Sequence, residues 1–381
     1  MKNGQEAAPK GPSHPDEQIF ERLRRIRKGL AASSLDALLV TCPENRFYLS
    51  GFLAEDVGLA ESAGALLITR HRQFLLTDGR YQLQARRQSP GFELVIYKKG
   101  LAAGLKEALT RLGWKDGARI ALEASFISWA QVKRLKKVGP ELSFIPYKDA
   151  VFKMRSIKSP DEIKSIRRAV EAAEEVFQQV WYSIREGMTE KEIAFQILEG
   201  LYTRADGPSF PPIVASGPNA ALPHAVPTDR RIKKAEPVII DMGARLDGYC
   251  SDMTRTIFLD EPSSEMKQVY MTVKRAQLKA QKGIKAGISC RDADLLARQV
   301  IKEAGYGNSF VHALGHGVGL AVHEAPALSF RNRKLLRPGM VITVEPGIYL
   351  EGKGGVRLEN MAVVGVDRLE ILNSDRWYYD F

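Results

Sequence analysis

Hydrophobic and polar positions change rhythm along this chain. Residues 16–34 repeat apolar positions at helical spacing. Five short apolar runs follow, each bounded by turn residues: DALLVT (36–41), GALLIT (64–69), QFLLT (73–77), ELVIY (93–97) and RIALE (119–123). These runs predict strands. Helical patterns fall between some of them, near 81–88, 100–112 and 127–137. Strands alternating with helices predict an α/β domain over 16–150. A boundary is expected in PYKDAVFKMRSIKSP (146–160), and a second domain over 151–381. There SPDE (159–162) places Ser159 as N-cap, Pro160 at the first helical position and Glu162 to close a capping box. A long helix to about Arg185 should follow, and TEKE (189–192) repeats the signal for another. Further helices are expected near 263–285 and 292–304, among β-branched runs. No internal repeat is visible by eye.

Composition narrows the class. The chain has 381 residues, 44% of them apolar, enough for two sizeable cores. Residues 1–15 are polar and rich in Pro and Gly, and are expected to be a disordered tail. They contain no apolar stretch of the kind a signal peptide needs, and no run reaches membrane-spanning length. Three scattered cysteines (Cys42, Cys250, Cys290) without CxxC spacing argue against a disulfide framework or thiolate zinc site. A reducing, cytoplasmic setting is the expectation. The net charge is +11, concentrated in RLRRIRK (22–28) and KRLKK (133–137). Both runs lie on helical spacing and no aromatic-interleaved RNA motif accompanies them. Solvated helix faces explain them better than a nucleic-acid surface.

Two stretches carry candidate chemistry. In VIIDMGARLDGYCSDMTRTIF (238–258), apolar strands flank an LDG turn. A Leu246–Asp247 loop sets Asp241 directly opposite Asp252, whereas an Asp247–Gly248 loop makes them diagonal neighbours. Either register puts both carboxylates on one sheet face, where like charges repel. In VITVEPGIYLEGKGGVRLENMAVV (341–364), Glu345 and Glu359 are equidistant from Gly352, so a simple hairpin opposes them too. Taken singly, each pair could be a solvated surface pair. Jointly, beside strongly apolar strands, they point to buried acids that need a cation. HALGHGVGLAVHE (312–324) then adds three of the chain's six histidines. Four carboxylates and one imidazole suit two divalent ions, Mn²⁺ first, with Co²⁺, Fe²⁺ or Zn²⁺ as alternatives. The implied chemistry is hydrolysis.

These motifs resemble the pita-bread metallopeptidases, the group that includes methionine aminopeptidase, aminopeptidase P and prolidase. The matching pieces are SFPPIVASGPNAALPHAVPT (209–228), DMGARLDGYCSDMTRT (241–256), HALGHGVGLAVHEAP (312–326), VEPGIYL (344–350) and GGVRLENMAVV (354–364). DALLVTCPENRFYLSGF (36–52) and LLTDGRYQLQA (75–85) resemble the smaller α/β domain of the proline-specific branch. The resemblance implies a creatinase-like α/β domain followed by an α+β pita-bread catalytic domain. It implies Asp241, Asp252, His316, Glu345 and Glu359 as metal ligands. Glu345 would also shuttle a proton. His224, His312 and His323 would contact substrate and oxyanion. Tyr349 and Arg357 would support the site, Arg357 as the charge partner of Glu359. Gly315 and Gly317 are expected to let the backbone pass close to the ions. Cys250 is read as packing. Ala321, Ala235 and Asn360 depart from the commoner Glu, Gly and Asp.

The resemblance ranks an Xaa-Pro aminopeptidase first and an Xaa-Pro dipeptidase second. The substrate would be a peptide with proline in second position, and the assembly a homodimer. Methionine aminopeptidase ranks lower because the first domain would be superfluous. A metal-free creatine amidinohydrolase ranks lower because all five ligands persist. A non-enzymatic binding protein on the same fold is the remote alternative.

Overall fold

The computed structural model describes residues 15–56, 58, 61–114, 117–139, 141–147 and 150–381. The tail expected over 1–15 lies almost wholly outside them. The chain divides into two compact units, Met1–Lys153 and Met154–Phe381.

The first unit runs α1 (Pro15–Ala32), β1 (Ala37–Val40), α2 (Pro43–Ser50), β2 (Ala65–Thr69), β3 (Gln73–Asp78), α3 (Gln82–Gln88), β4 (Glu93–Tyr97), α4 (Leu101–Leu112), β5 (Arg119–Leu122), α5 (Trp129–Lys136) and β6 (Ser143–Pro146). Helix α6 (Ala150–Ser156) crosses the boundary. The six strands form one mixed sheet in the order β4-β3-β2-β1-β5-β6, with β2 antiparallel to both neighbours. Strands β1 and β2 are apolar on both faces because helices cover both faces of the sheet's centre. Helix α2 is absent from the sequence pattern. The two amides just before it are held by a distant carboxylate, Glu123, which accepts from Thr41 N at 2.7 Å and Cys42 N at 2.8 Å.

The second unit contains α7 (Pro160–Ser183), α8 (Glu190–Arg204), β7 (Gly207–Pro208), β8 (Ile213–Ser216), β9 (Val238–Met242), β10 (Ala244–Leu246), β11 (Tyr249–Cys250), β12 (Met253–Ile257), α9 (Ser264–Gly283), α10 (Cys290–Glu303), β13 (Gly315–Gly317), β14 (Glu324–Leu328), β15 (Val341–Val344), β16 (Gly347–Leu350), β17 (Gly354–Arg357), β18 (Asn360–Val364) and β19 (Leu369–Ile371). Both expected capping boxes form. Ser159 Oγ accepts from Glu162 N at 3.3 Å, and Thr189 Oγ1 accepts from Glu192 N at 3.1 Å.

This unit is built from two similar halves, against the expectation of no repeat. Each half has a helix pair packed on an antiparallel sheet: α7 and α8 on β12-β9-β8, and α9 and α10 on β14-β13-β15-β18-β19. The links between the paired helices correspond one hundred residues apart. Gly187 has φ 87° and Gly287 has φ 88°. Gly187 N donates to Ile232 O at 2.9 Å, and Gly287 N to Leu336 O at 2.9 Å. The duplication shows in backbone geometry and hydrogen bonding, and the sequence carries it only as a short match, IREGMT (184–189) against IKAGIS (284–289). Each half has its own core. Val176, Ile193 and Ile240 are buried in the first, and Val273, Ala297 and Ile342 in the second. Each such valine or isoleucine contributes roughly 1.5–3 kcal/mol.

Ala235, where the family favours glycine, has φ 59°. A left-handed non-glycine residue costs roughly 1–2 kcal/mol. Gly315 is needed for strand contact: a Cβ there would lie 2.2 Å from Thr343 O. Gly317 is similar, with Ala325 O at 2.4 Å. Neighbouring strands therefore exclude side chains at both positions. Ala235→Gly should raise stability by about 1 kcal/mol, whereas Gly315→Ala should lower it by about 1–3 kcal/mol. Urea unfolding midpoints check both, and a Gly315→Ala protein as stable as the parent would contradict the strand-contact account.

Candidate metal centre

Turn chemistry fixes the first acid pair. Asp247 (φ 52°) and Gly248 (φ 81°) form a two-residue turn with both residues left-handed. The β10–β11 hairpin pairs Leu246 with Tyr249, and the same register carries down to Asp241 opposite Thr254 in β9–β12. Of the two registers open from the sequence, the structure has the diagonal one. Asp252 precedes Thr254 by two, so Asp241 and Asp252 share a face.

The second pair is directly opposed. Val344 pairs with Asn360 and Gly347 pairs with Arg357, which leaves Glu345 facing Glu359. These two acids sit where the hairpin leaves one sheet for another. Strand β13 runs beside β15 and brings in His316. Its Nε2 lies 3.2 Å from Glu345 Oε1 and 3.6 Å from Asp252 Oδ2. Ligand atoms of Asp252, His316 and Glu359 all fall within 4.8 Å of one another.

The electrostatics of this cluster call for cations. Burial, and then Glu359 and Asp241, push the Asp252 carboxyl well above its usual range. Burial, and then Glu345 and Asp241, do the same to Glu359. Asp241 is also raised by burial, with Arg357 opposing. Burial opposes the charge on Glu345 too, but the hydrogen bond and charge of His316 outweigh it and bring its pKa to about 2. In return Glu345 outweighs burial at His316, which is pushed up to about 9. Asp241 Oδ1 and Glu359 Oε1 are buried with no hydrogen-bond partner among the described residues. Buried oxygens of this kind are costly unless paired with a cation. The donor set, four carboxylates and one imidazole, therefore fits divalent metal ions.

Arg357 departs from expectation. Its Nη2 donates to Asp241 Oδ2 at 2.7 Å rather than to Glu359. Thr254 is the reason. Its hydroxyl donates to Glu359 Oε2 at 2.7 Å and accepts from Arg357 Nε at 3.1 Å, so it stands between the two. Thr343 plays the matching part on the other side, donating to Glu345 Oε1 at 2.9 Å and accepting from His316 N at 3.0 Å. The sequence reading missed both threonines. Each lies two residues from a carboxylate on the same strand face, and that spacing was the available signal.

The cluster floors a cavity of about 510 Å³. Phe210, Pro211, Ile213, Val226 and Val322 give it an apolar wall, and His224, His312 and His323 also line it. The His323 ring lies 4.3 Å from that of His316. His312 is held more firmly. Its Nδ1 lies 2.8 Å from Ala313 O and its Nε2 2.9 Å from Tyr349 Oη. Burial lowers its pKa, and Ala313 O can only accept. The ring is thus neutral with the proton on Nδ1, and Nε2 accepts from the Tyr349 hydroxyl. Tyr349 Oη in turn accepts from Arg357 Nη1 at 2.9 Å, so Tyr349 is a polar link and not only packing. Cys250 is buried and points its thiol at Leu320 O, 3.6 Å away, outside the cluster. Asn360 accepts from Arg255 Nη2 at 3.0 Å and donates to Asp375 Oδ1 at 2.9 Å. Nothing in the structure explains alanine at 321.

Paired sheets meeting over a carboxylate-rich floor define a metal-dependent hydrolase. Comparison with known proteins makes the class specific. Residues 164–365 match the model of metallopeptidase family M24, and residues 22–157 match the creatinase/prolidase N-terminal domain. The chain belongs to metallopeptidase family M24 and is a metal-dependent peptidase of its proline-specific branch. It is 33% identical over 329 residues to an Xaa-Pro dipeptidase of Pyrococcus furiosus, spanning 86% of this chain and 90% of that protein. The structure of an Xaa-Pro dipeptidase from Bacillus anthracis superposes with TM-score 0.86 at 37% identity, covering 94% of this chain and 98% of the other. That of an X-Pro aminopeptidase from Thermotoga maritima gives TM-score 0.86 at 38% identity, covering 93% and 98%.

The titration directions give a test. Without metal, Asp252 and Glu359 hold protons above the usual carboxylate range and His316 holds one up to about 9, whereas Glu345 is already ionised. Metal binding requires all of them deprotonated. Loading the apo-protein at pH 7 should therefore release protons, and Glu359→Gln should release fewer. Calorimetry in buffers of different ionisation enthalpy reads this, and loading without proton release would refute the account.

Proposed function

We propose that the protein is an Xaa-Pro dipeptidase working with two divalent cations, Mn²⁺ first. The observation that carries this reading is the floor of four carboxylates and His316 beneath an apolar-walled cavity of about 510 Å³. A volume of a few hundred Å³ suits a small ligand such as a dipeptide. The oxygen-rich donor set favours Mn²⁺ over softer ions. The order of the two sequence expectations is reversed, because the Pyrococcus and Bacillus relatives are Xaa-Pro dipeptidases. The Thermotoga relative keeps the aminopeptidase as the alternative.

Asp241, Asp252, His316, Glu345 and Glu359 would hold the ions. Bound there, the ions would supply Lewis acidity and an activated water. The protein's own groups would then act in turn. Glu345 keeps its carboxylate ionised, and Thr343 donates to its Oε1. Its Oε2 would take the proton of the attacking water and deliver it to the proline nitrogen, which leaves as a secondary amine. His323 would donate to the oxyanion that forms on the scissile carbonyl. His224, on the opposite loop, would orient the substrate amine. His312 would act through Tyr349, which with Arg357 keeps Asp241 in place. The three cysteines are buried and free, which supports a cytoplasmic setting. None of the described helices is long and apolar enough to cross a membrane. The homodimer implied by the family resemblance belongs to this reading, and sedimentation would test it.

The deciding experiment compares Mn²⁺-loaded protein on an Xaa-Pro dipeptide and on an Xaa-Pro-Yaa-Zaa peptide. Turnover of the dipeptide alone is expected, and comparable turnover of the longer peptide makes the enzyme an aminopeptidase. Cleavage of Met-Ala-Ser with neither proline peptide cleaved would overturn the proline assignment. Glu345→Gln should lower kcat by roughly 10²–10⁴-fold, the range for a lost general base.

A further inference from the structure

His224 lies on the segment between β8 and β9 that borders the cavity. The stretch from Gly217 to Pro227 supplies Pro223, His224, Ala225, Val226 and Pro227 to the cavity. Leu222 is 57% and Val226 78% exposed, whereas Ala220 and Ala225 pack with Ile239 and Tyr349, and Pro223 O accepts from Arg357 Nη1 at 3.2 Å. Both of its ends meet at one carboxylate, that of Glu190 in the first turn of α8. Glu190 Oε1 accepts from Ser216 N at 2.7 Å and Ser216 Oγ at 2.8 Å. Its Oε2 accepts from Thr228 N at 2.9 Å and Thr228 Oγ1 at 2.6 Å. Asn219 Nδ2 lies 3.1 Å and 3.2 Å from the two oxygens. The side chain is wholly buried. The nearest cation, Arg230, reaches it at one remove, donating to Ser216 Oγ at 2.7 Å.

The duplicated fold supplies a control. Glu190 N donates to Arg230 O, and one hundred residues on Cys290 N donates to Lys334 O. Lys191 N donates to Thr228 O as Arg291 N does to Asn332 O. Glu190 and Cys290 thus hold one position in the two halves, and both are wholly buried. The half that carries no His224 segment fills the position with a thiol. A carboxylate there is not what this helix start requires. It is present where two chain ends must be tied.

We propose that Glu190 is a positioning residue: its carboxylate ties Ser216 to Thr228 and so sets the place of His224 at the cavity. The inference rests on the reading of His224 as a substrate contact. Glu190→Gln replaces an acceptor by a donor facing donors. Glu190→Cys copies the other half.

In metal-loaded protein, both variants should raise KM for an Xaa-Pro dipeptide roughly tenfold, the scale of a lost hydrogen bond to a charged group, with kcat little changed. Metal stoichiometry should stay at the parent value. His224→Ala should cost less in the Glu190→Gln background than alone, because both changes disable one element. Additive effects, or an unchanged KM, would overturn the proposal. Hydrogen exchange judges it without catalysis: amides of 217–227 should exchange faster in both variants, and unchanged exchange refutes the tie. If the parent cleaves no Xaa-Pro peptide, the functional reading fails and exchange alone decides on Glu190. If the Glu190 variants do not fold, Thr228→Val and Ser216→Ala probe the same tie from its other partners, with the same expected and refuting outcomes.

Discussion

Four carboxylates share one desolvated pocket, and the rest of the catalytic unit is arranged around that repulsion. Arg357 and His316 are the cationic groups that reach them among the described residues. One guanidinium and one imidazole do not neutralise four acids. Where they fall short, Asp252 and Glu359 keep protons at pH values where carboxyls are normally ionised. The pocket persists because Asp241 lies in β9 and the other three acids directly adjoin the hydrogen-bonded strands β12, β15 and β18. Backbone register, rather than mutual attraction, brings the acids together. A cation bound there would turn that mutual repulsion into attraction.

Much of this was legible in the sequence because it rests on local rules. The strand runs of the first unit, the capping boxes at Ser159 and Thr189 and the helices they start all follow from neighbours in sequence. The acid pairs were legible for the same reason: a two-residue turn and a symmetric hairpin carry register outward without further information. What escaped depends on distant partners. The chain entering helix α2 is held by Glu123, far along the sequence. Arg357 turns to Asp241 because Thr254 arrives from another strand. The glycines at 315 and 317 also make room for Thr343 and Ala325, which no local pattern shows. Dipeptidase and aminopeptidase share every motif, so sequence motifs could not rank them.

The two halves divide the labour. The first contributes Asp241, Asp252 and the His224 segment, and the second contributes His316, Glu345 and Glu359. Each half packs its own helices on its own sheet, so each can be stable as a body while holding an incomplete donor set. The cavity histidines are likewise held in separate ways. Tyr349 and Arg357 hold His312. Glu324, ion-paired with the buried Arg155 and Lys158, braces the turn before His323 by accepting from Ala321 N at 3.0 Å. Glu190 frames His224. The cavity histidines thus take their positions from buried polar and charged groups packed beside them.

The seam at Glu345 and Glu359, where one hairpin passes between two sheets, also bears on the protein's birth on the ribosome. Asp241 and Asp252 are made first, and Glu359 more than a hundred residues later. A nascent chain that has built the first half, and most of the second, still lacks one corner of the site. On the ligand set proposed above, a peptidase assembled in this order would stay silent while its own backbone is being made. Hydrolytic competence would arrive together with the final hairpin, after both cores have had the chance to form.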